Sequence, residues 1–213
     1  MNHFNNNLLE QKKYFYRQKD IAKDKKSLKI LFLIPHPFYQ DRGSPIADNL
    51  VLQVLSERQE FVDVIAYPEG RDLYYPNINL YRTIRIPLIR NIRPGFSWKK
   101  LIYDILIFTK AIQLIKKNKY HLIHAVEETV FIALVCKFFF KIPYVYDMDS
   151  SLVQQLIEKY SFLNYFRFLL NWFEKIAVKN AEAVIPVCQA LADDIVKYRP
   201  KKIMVLPDIS LLI

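Results

Sequence analysis

The sequence predicts an α/β domain built on a doubly wound parallel sheet, and three observations lead there. Short, mainly apolar runs such as LKILFLI at 28–34 and FVDVIAY at 61–67 have the length of strands buried on both faces. Segments with helical spacing alternate with those runs, and such alternation implies right-handed crossovers between parallel strands. Several strands run into polar residues at their carboxyl ends, YVYDMDSSL at 144–152 most clearly, and that end of a parallel sheet is where ligands bind.

Residues 1–27 are polar, Asn-rich and then Lys-rich, and read as an N-terminal extension with a short helix around 8–18. The ordered domain is expected over 28–213, with its first strand at 28–34 followed by the loop PHPFYQDRGSP. Leu50, Val51, Val54 and Leu55 set a helix from Ala47 to Glu57. FVDVIAY is the second strand, and YRTIRIPL at 81–88 the third. A helix over 97–117 has Ser97 as its N-cap and a lysine run at its C-terminal end, where the helix dipole favours cations. YHLIHAV at 120–126 is a strand and 129–140 a helix; YVYDM at 144–148 is the next strand. Two helices fill 150–179, AVIPV at 183–187 is a strand, QALADDIVKY a helix, and KIMVLP at 202–207 a last strand.

The chain of 213 residues suits one such domain, and its 52% hydrophobic content supplies a sizeable core. The net charge of +10 fits a nucleic acid, an anionic membrane surface or a phosphorylated substrate. No nucleic-acid motif accompanies the charge, so nucleic acid is set aside as a partner. Cys136 and Cys188 stand far apart without CxxC spacing, which argues against a disulfide scaffold or a cysteine metal site and suits a reducing compartment. No metal is expected. The N-terminus lacks a continuous apolar stretch of the secretory kind, and the apolar runs at 101–115 and 129–146 are too short or too interrupted by charge to span a bilayer. A cytoplasmic location follows as the expectation. With only Gly43, Gly70 and Gly95 in the chain there is neither GxGxxG nor GxxxxGK[ST], which disfavours dinucleotide and P-loop chemistry.

From Lys29 to Asp208 the order of features resembles the N-terminal, acceptor-binding domain of the GT-B glycosyltransferases of family 4. The segments that carry the resemblance are HPFYQDRGSP, IHAVEETVFIAL, IPYVYDMDSSL, FEKIAVKNAEAVIPVCQALADDI and KIMVLPD. It implies a Rossmann-like domain equivalent to the N-terminal half of such an enzyme. The implied chemistry is retaining transfer of a sugar from a nucleotide-sugar donor to a glycan, lipid-linked or polysaccharide acceptor, without a metal or other cofactor. The donor is expected to need a further, C-terminal domain that these residues do not supply, so the chain alone is expected to be inactive. The alternative is a non-catalytic binding or accessory subunit that pairs with a separate donor-binding chain.

Residue by residue, the resemblance and the chemistry point to a few positions. Arg42, Gly43 and Ser44 follow the first strand, where a glycine lets backbone amides approach a phosphate and Arg adds charge; a plain turn closed by Pro45 is the other reading. His124, near the end of its strand, suits orienting an acceptor hydroxyl or taking its proton, or else is a half-buried strand histidine. Many relatives carry a second His two residues on, where this chain has Val126. Glu127 and Glu128 come next, either contacting acceptor hydroxyls or sitting as carboxylates favoured at a helix N-terminus. Asp147 and Asp149 project to one side of their strand and suit sugar hydroxyls, with Asp149 or Ser150 alternatively capping the following helix. His124 and Asp147 are the expected catalytic pair.

A basic and aromatic surface is the last expectation. Tyr160, Phe162, Tyr165, Phe166, Phe168, Trp172 and Phe173 are interleaved with Lys159, Arg167, Lys175 and Lys179. With Arg90, Arg93, Trp98, Lys99 and Lys100 they compose a pattern suited to the inner face of an anionic membrane, or alternatively a set of core aromatics with solvated cations.

Overall fold

In the computed structural model the described residues are 27–41, 43–87, 89 and 97–207. The expected helix at 8–18, together with Arg42, Arg90, Arg93 and Asp208, lies outside them. The elements are β1 (Lys29–Pro37), α1 (Gly43–Glu57), β2 (Phe61–Tyr67), β3 (Ile78–Arg82), α2 (Trp98–Lys117) and β4 (Leu122–Val126). A 3-10 turn (Glu127–Thr129), α3 (Val130–Phe140), β5 (Tyr144–Met148) and α4 (Leu152–Lys159) follow. A second 3-10 segment (Ser161–Phe166), α5 (Arg167–Asn180), β6 (Ala183–Pro186) and α6 (Gln189–Val196) complete the series.

All six strands are parallel, in the order β3-β2-β1-β4-β5-β6. From β1 the chain moves outward through β2 to β3, then returns through α2 to lay β4 against the other side of β1. The strand order therefore reverses between β1 and β4, and a crevice opens beyond their carboxyl ends, where open α/β sheets bind ligands.

Alternation along the strands sorts the core into two faces. Leu31, Leu33, Ile65, Tyr67, Ile123, Ala125, Tyr144, Tyr146 and Met148 share one cluster with residues from α2, α3, α5 and α6. Ile30, Phe32, Ile34, Val62, Val64, Ala66 and Val126 face the other way and meet Leu52 of α1. The fully buried runs in β1 and β2 explain why those strands read as continuous apolar stretches rather than alternating ones.

Two strands differ from expectation. Asn77 takes a φ of 62° that swings the chain into line early, so Ile78 to Arg82 pair with Val62 to Ala66 and β3 ends well before 88. The segment expected as a last strand at 202–207 runs beside β6 through hydrogen bonds from Val184 N, Met204 N and Leu206 N, with Ile203 opposite Val184 as an isolated bridge. Ser97 does cap α2, its Oγ accepting from Lys100 N at 3.3 Å. The cap of α4 is Ser151, not Asp149 or Ser150, because Ser151 has the extended backbone of a cap and its Oγ accepts from Gln154 N.

Candidate functional site

His124 shares its side of β4 with Leu122 and Val126, on the sheet face that α1 covers. There its ring stacks on Phe32 of β1, with centroids 4.2 Å apart and planes 9° from parallel. Asp147 alternates with Tyr146 and Met148, which belong to the opposite cluster, and so projects to the same face as His124. The two side chains meet: His124 Nε2 is 2.9 Å from Asp147 Oδ2. Both are mostly shielded from solvent, with side chains 9% and 16% exposed.

A second His–Asp pair stands beside the first, and sequence reasoning missed it. His36 comes from the end of β1 and Asp48 from the second turn of α1; Nε2 and Oδ2 are 2.9 Å apart, ion-pair distance without the alignment of a hydrogen bond. Burial pushes the Asp48 carboxyl well above its ordinary range, the Asp147 and Asp149 carboxylates push it further, and His124 opposes them. These couplings place Asp48, Asp147, Asp149 and His124 in one electrostatic neighbourhood. Ser44 is one helical turn before Asp48 on α1, hence on the same side of that helix. Gly43 opens α1 at a φ of 28°, and a Cβ added there would meet nothing within 4 Å, so the position needs a glycine for its backbone angle and not for a close approach.

The loop between β1 and α1 is held by its neighbour. Tyr39 and Arg71 exchange two backbone hydrogen bonds of 2.9 Å, and the Arg71 guanidinium pairs with Asp41. Gly70, at a φ of 117°, allows this approach: a Cβ there would sit 2.4 Å from the Phe38 carbonyl oxygen.

Glu127 and Glu128 part company at the strand end. Glu127 has a φ of 46°, a left-handed turn unusual for a residue with a side chain, and strain of this kind concentrates at functional sites. Lys100, from the first turn of α2, lies 3.6 Å from Glu127 Oε2 and pairs directly with Glu128. Burial lowers the Lys100 pKa, but the Glu128 and Glu127 carboxylates outweigh it and the net shift is upward. Burial raises both carboxyls, Lys100 opposing it, and the charge of His36 also pulls Glu127 down. Glu127 thus stands between the crevice and Lys100, whereas Glu128 turns toward a groove on the opposite face of the sheet, lined also by Asp104. Lys100 was expected on a basic surface; it is 5% exposed and belongs to this buried triad.

The assembled site is a crevice at the carboxyl ends of β1, β4 and β5, walled by α1 and rich in carboxylates with two histidines. Such a set accepts hydrogen bonds from hydroxyls and repels anions, so a neutral polyhydroxylated ligand fits it better than a bare phosphate. A single parallel sheet in this strand order, with its polar site at the strand ends, is a Rossmann-like doubly wound domain, the architecture expected of one half of a GT-B glycosyltransferase.

Comparison with known proteins agrees. The family model described as Glycosyltransferase Family 4 matches residues 51–208, and the chain belongs to that family. A search of curated proteins finds no match. Among solved structures, sucrose-phosphate synthase from Thermosynechococcus elongatus aligns at a TM-score of 0.61 and 17% identity, over 84% of this chain and 48% of that one. UGT89C1 of Arabidopsis thaliana, solved with UDP-L-rhamnose, aligns at 0.54 and 10% identity over 89% of this chain and 54% of its own. A UGT transferase from Siraitia grosvenorii, solved with UDP, aligns at 0.52 and 12% identity over 87% and 52%. The chain thus spans about half the length of these structures.

Proposed function

We propose that this chain is the acceptor-binding half of a retaining glycosyltransferase, with the crevice at His124 and Asp147 holding a hydroxyl-bearing acceptor. The observation that carries the reading is the His124–Asp147 contact of 2.9 Å at the point where the strand order reverses. In this reading His124 fixes the Asp147 carboxylate through Oδ2, and Oδ1 accepts the hydrogen bond of an acceptor hydroxyl. Asp149, Glu127 and Ser44 bind further hydroxyls around it, with Gly43 next to Ser44 at the start of α1. Glu128 supports Glu127 through Lys100 rather than touching the acceptor.

The nucleotide sugar is held by other residues than these, on a partner domain or a separate donor-binding chain. Calorimetry of the 213-residue chain with UDP- and GDP-sugars, together with a hydrolysis assay, tests this. Weak donor binding and no turnover are expected; tight binding or appreciable turnover overturns the reading.

A non-catalytic accessory role is favoured by one observation. Val126 occupies the place of the second histidine of many relatives, and it is fully buried in the core beside Phe32. A binding half that never reacts would still hold acceptors through Asp147, and reconstitution with a donor-binding chain separates the two readings.

A further inference from the structure

We propose that the outer face of the layer formed by α2, α3 and α5 docks onto an anionic lipid bilayer, one acyl chain entering the groove between α2, α3 and α4. These helices bury one side against the sheet and leave aromatic and aliphatic side chains on the other. Helical spacing puts Phe168, Trp172, Lys175 and Lys179 in one stripe on α5, opposite the buried Glu174, Ala177 and Val178. Trp98, Leu101 and Ile105 form the corresponding stripe of α2, and Val135, Phe138 and Phe139 that of α3; all are exposed. The 3-10 segment before α5 adds Phe162, Tyr165 and Phe166, with Tyr165 at 96% exposure and Phe168 at 85%. Side chains that open to water are not core, and an apolar surface of this breadth marks an interaction face.

Charge chooses the partner. Exposed Lys159, Arg167, Lys175 and Lys179 are interleaved with the aromatics, while Glu158 is the exposed carboxylate among them. Cations alternating with Trp, Tyr and Phe suit the headgroup level of an anionic bilayer, where the rings enter and the cations stay at the phosphates. The groove, of about 400 Å³, has Asp104 and Glu128 on its lining but is walled mainly by apolar side chains, Leu101, Ile105, Phe131 and Val135 among them, and these walls suit a hydrocarbon chain. Among the described residues no helix is long and apolar enough to cross a membrane, so the chain would lie on the surface. This face is separate from the acceptor crevice, and its test needs neither donor nor acceptor.

The chain's two tryptophans, Trp98 and Trp172, both lie on this face. Vesicles of phosphatidylcholine with increasing fractions of phosphatidylglycerol should therefore shift the emission to the blue and carry the chain upward in flotation. Binding should weaken with salt, and K175Q/K179Q should weaken it about fivefold for each lysine removed. F168S/W172S should reduce binding at every composition without moving the melting curve; if it melts early, the lysine variant alone decides the variant arm. Absence of flotation, equal flotation with neutral vesicles, or unchanged binding by the variants overturns the proposal. So does a dimer that forms through this face without any vesicle binding.

Discussion

His124 reaches Asp147 diagonally across two adjacent strands: in the β4–β5 register His124 stands opposite Val145, and Asp147 opposite Val126. The 2.9 Å contact closes that two-residue offset at the lip of the crevice, so the pair is built by the register of the sheet and not by a flexible loop. Asp147→Asn keeps the shape and removes the charge. Acceptor binding on a glycan array should drop at least about tenfold, the loss of one charge-assisted hydrogen bond. The melting temperature should stay near that of the unaltered chain. Full acceptor binding by Asp147→Asn would remove this carboxylate from the site.

Lys100 offers a second, structural test. It is the cation between two partly buried carboxylates, Glu127 and Glu128, and removing it leaves both unneutralised. Lys100→Met should destabilise the fold by roughly 3–5 kcal/mol, the usual cost of breaking a buried pair from one side. Lys100→Met/Glu128→Leu should recover part of that loss, since the second change removes one orphaned charge. Urea unfolding of the two variants measures both; a Lys100→Met chain as stable as the original would mean that water reaches the triad.

How far the sequence discloses this site depends on which interactions are local. β1 and β2 are legible because strands buried on both faces have no polar alternation to confuse them, and β5 because its buried and half-buried residues alternate regularly. His124 and Asp147 are legible because each is a polar residue set in an otherwise apolar strand that leads to the carboxyl edge of the sheet. Asp48 is not: on its own helix it resembles any solvated carboxylate, and only the sheet it lies against makes it 3% exposed. Lys100 misleads for the same reason, since it neighbours Trp98 and Lys99 in sequence but meets Glu128 only after α2 crosses the sheet. The aromatic stripe of 162–173 was legible as composition, yet core and surface readings differ only in which way the helix faces, and packing decides that. β3 slipped because INLYR is an edge strand of mixed burial, set by the turn at Asn77 rather than by an apolar pattern.

Gly70 tests how much the β1–α1 loop contributes to binding. Gly70→Ala would force a φ of 117° on a side-chain-bearing residue and drive its Cβ against the Phe38 carbonyl. The chain should lose on the order of 2–4 kcal/mol of stability. Because Tyr39 is paired to Arg71 there, acceptor affinity should fall with it, although Gly70 touches no site residue. Circular dichroism melting and glycan-array binding read the two effects; a neutral outcome in both would mean the loop can relocate freely.

Asp104 predicts a pH dependence whose sign is fixed by burial. Its carboxyl lines the groove and is pushed up to about 6 by burial, partly offset by the hydrogen bond from Tyr67 Oη at 2.6 Å and by Lys100. A carboxyl whose folded pKa exceeds its unfolded value binds more protons when folded, so its contribution to stability declines as pH rises. The decline begins near the unfolded value of about 4 and is complete above the folded value of about 6. Asp104→Asn keeps an acceptor for the Tyr67 hydroxyl and carries no charge to desolvate. It should therefore gain stability over the original chain at neutral pH, on the order of 1–3 kcal/mol. That gain should shrink steadily as the pH is lowered from 7 toward 4. Urea midpoints measured across this range check it; a gain that grew on acidification would mean that Asp104 is held by Lys100 as a charged partner, and that burial is the weaker influence.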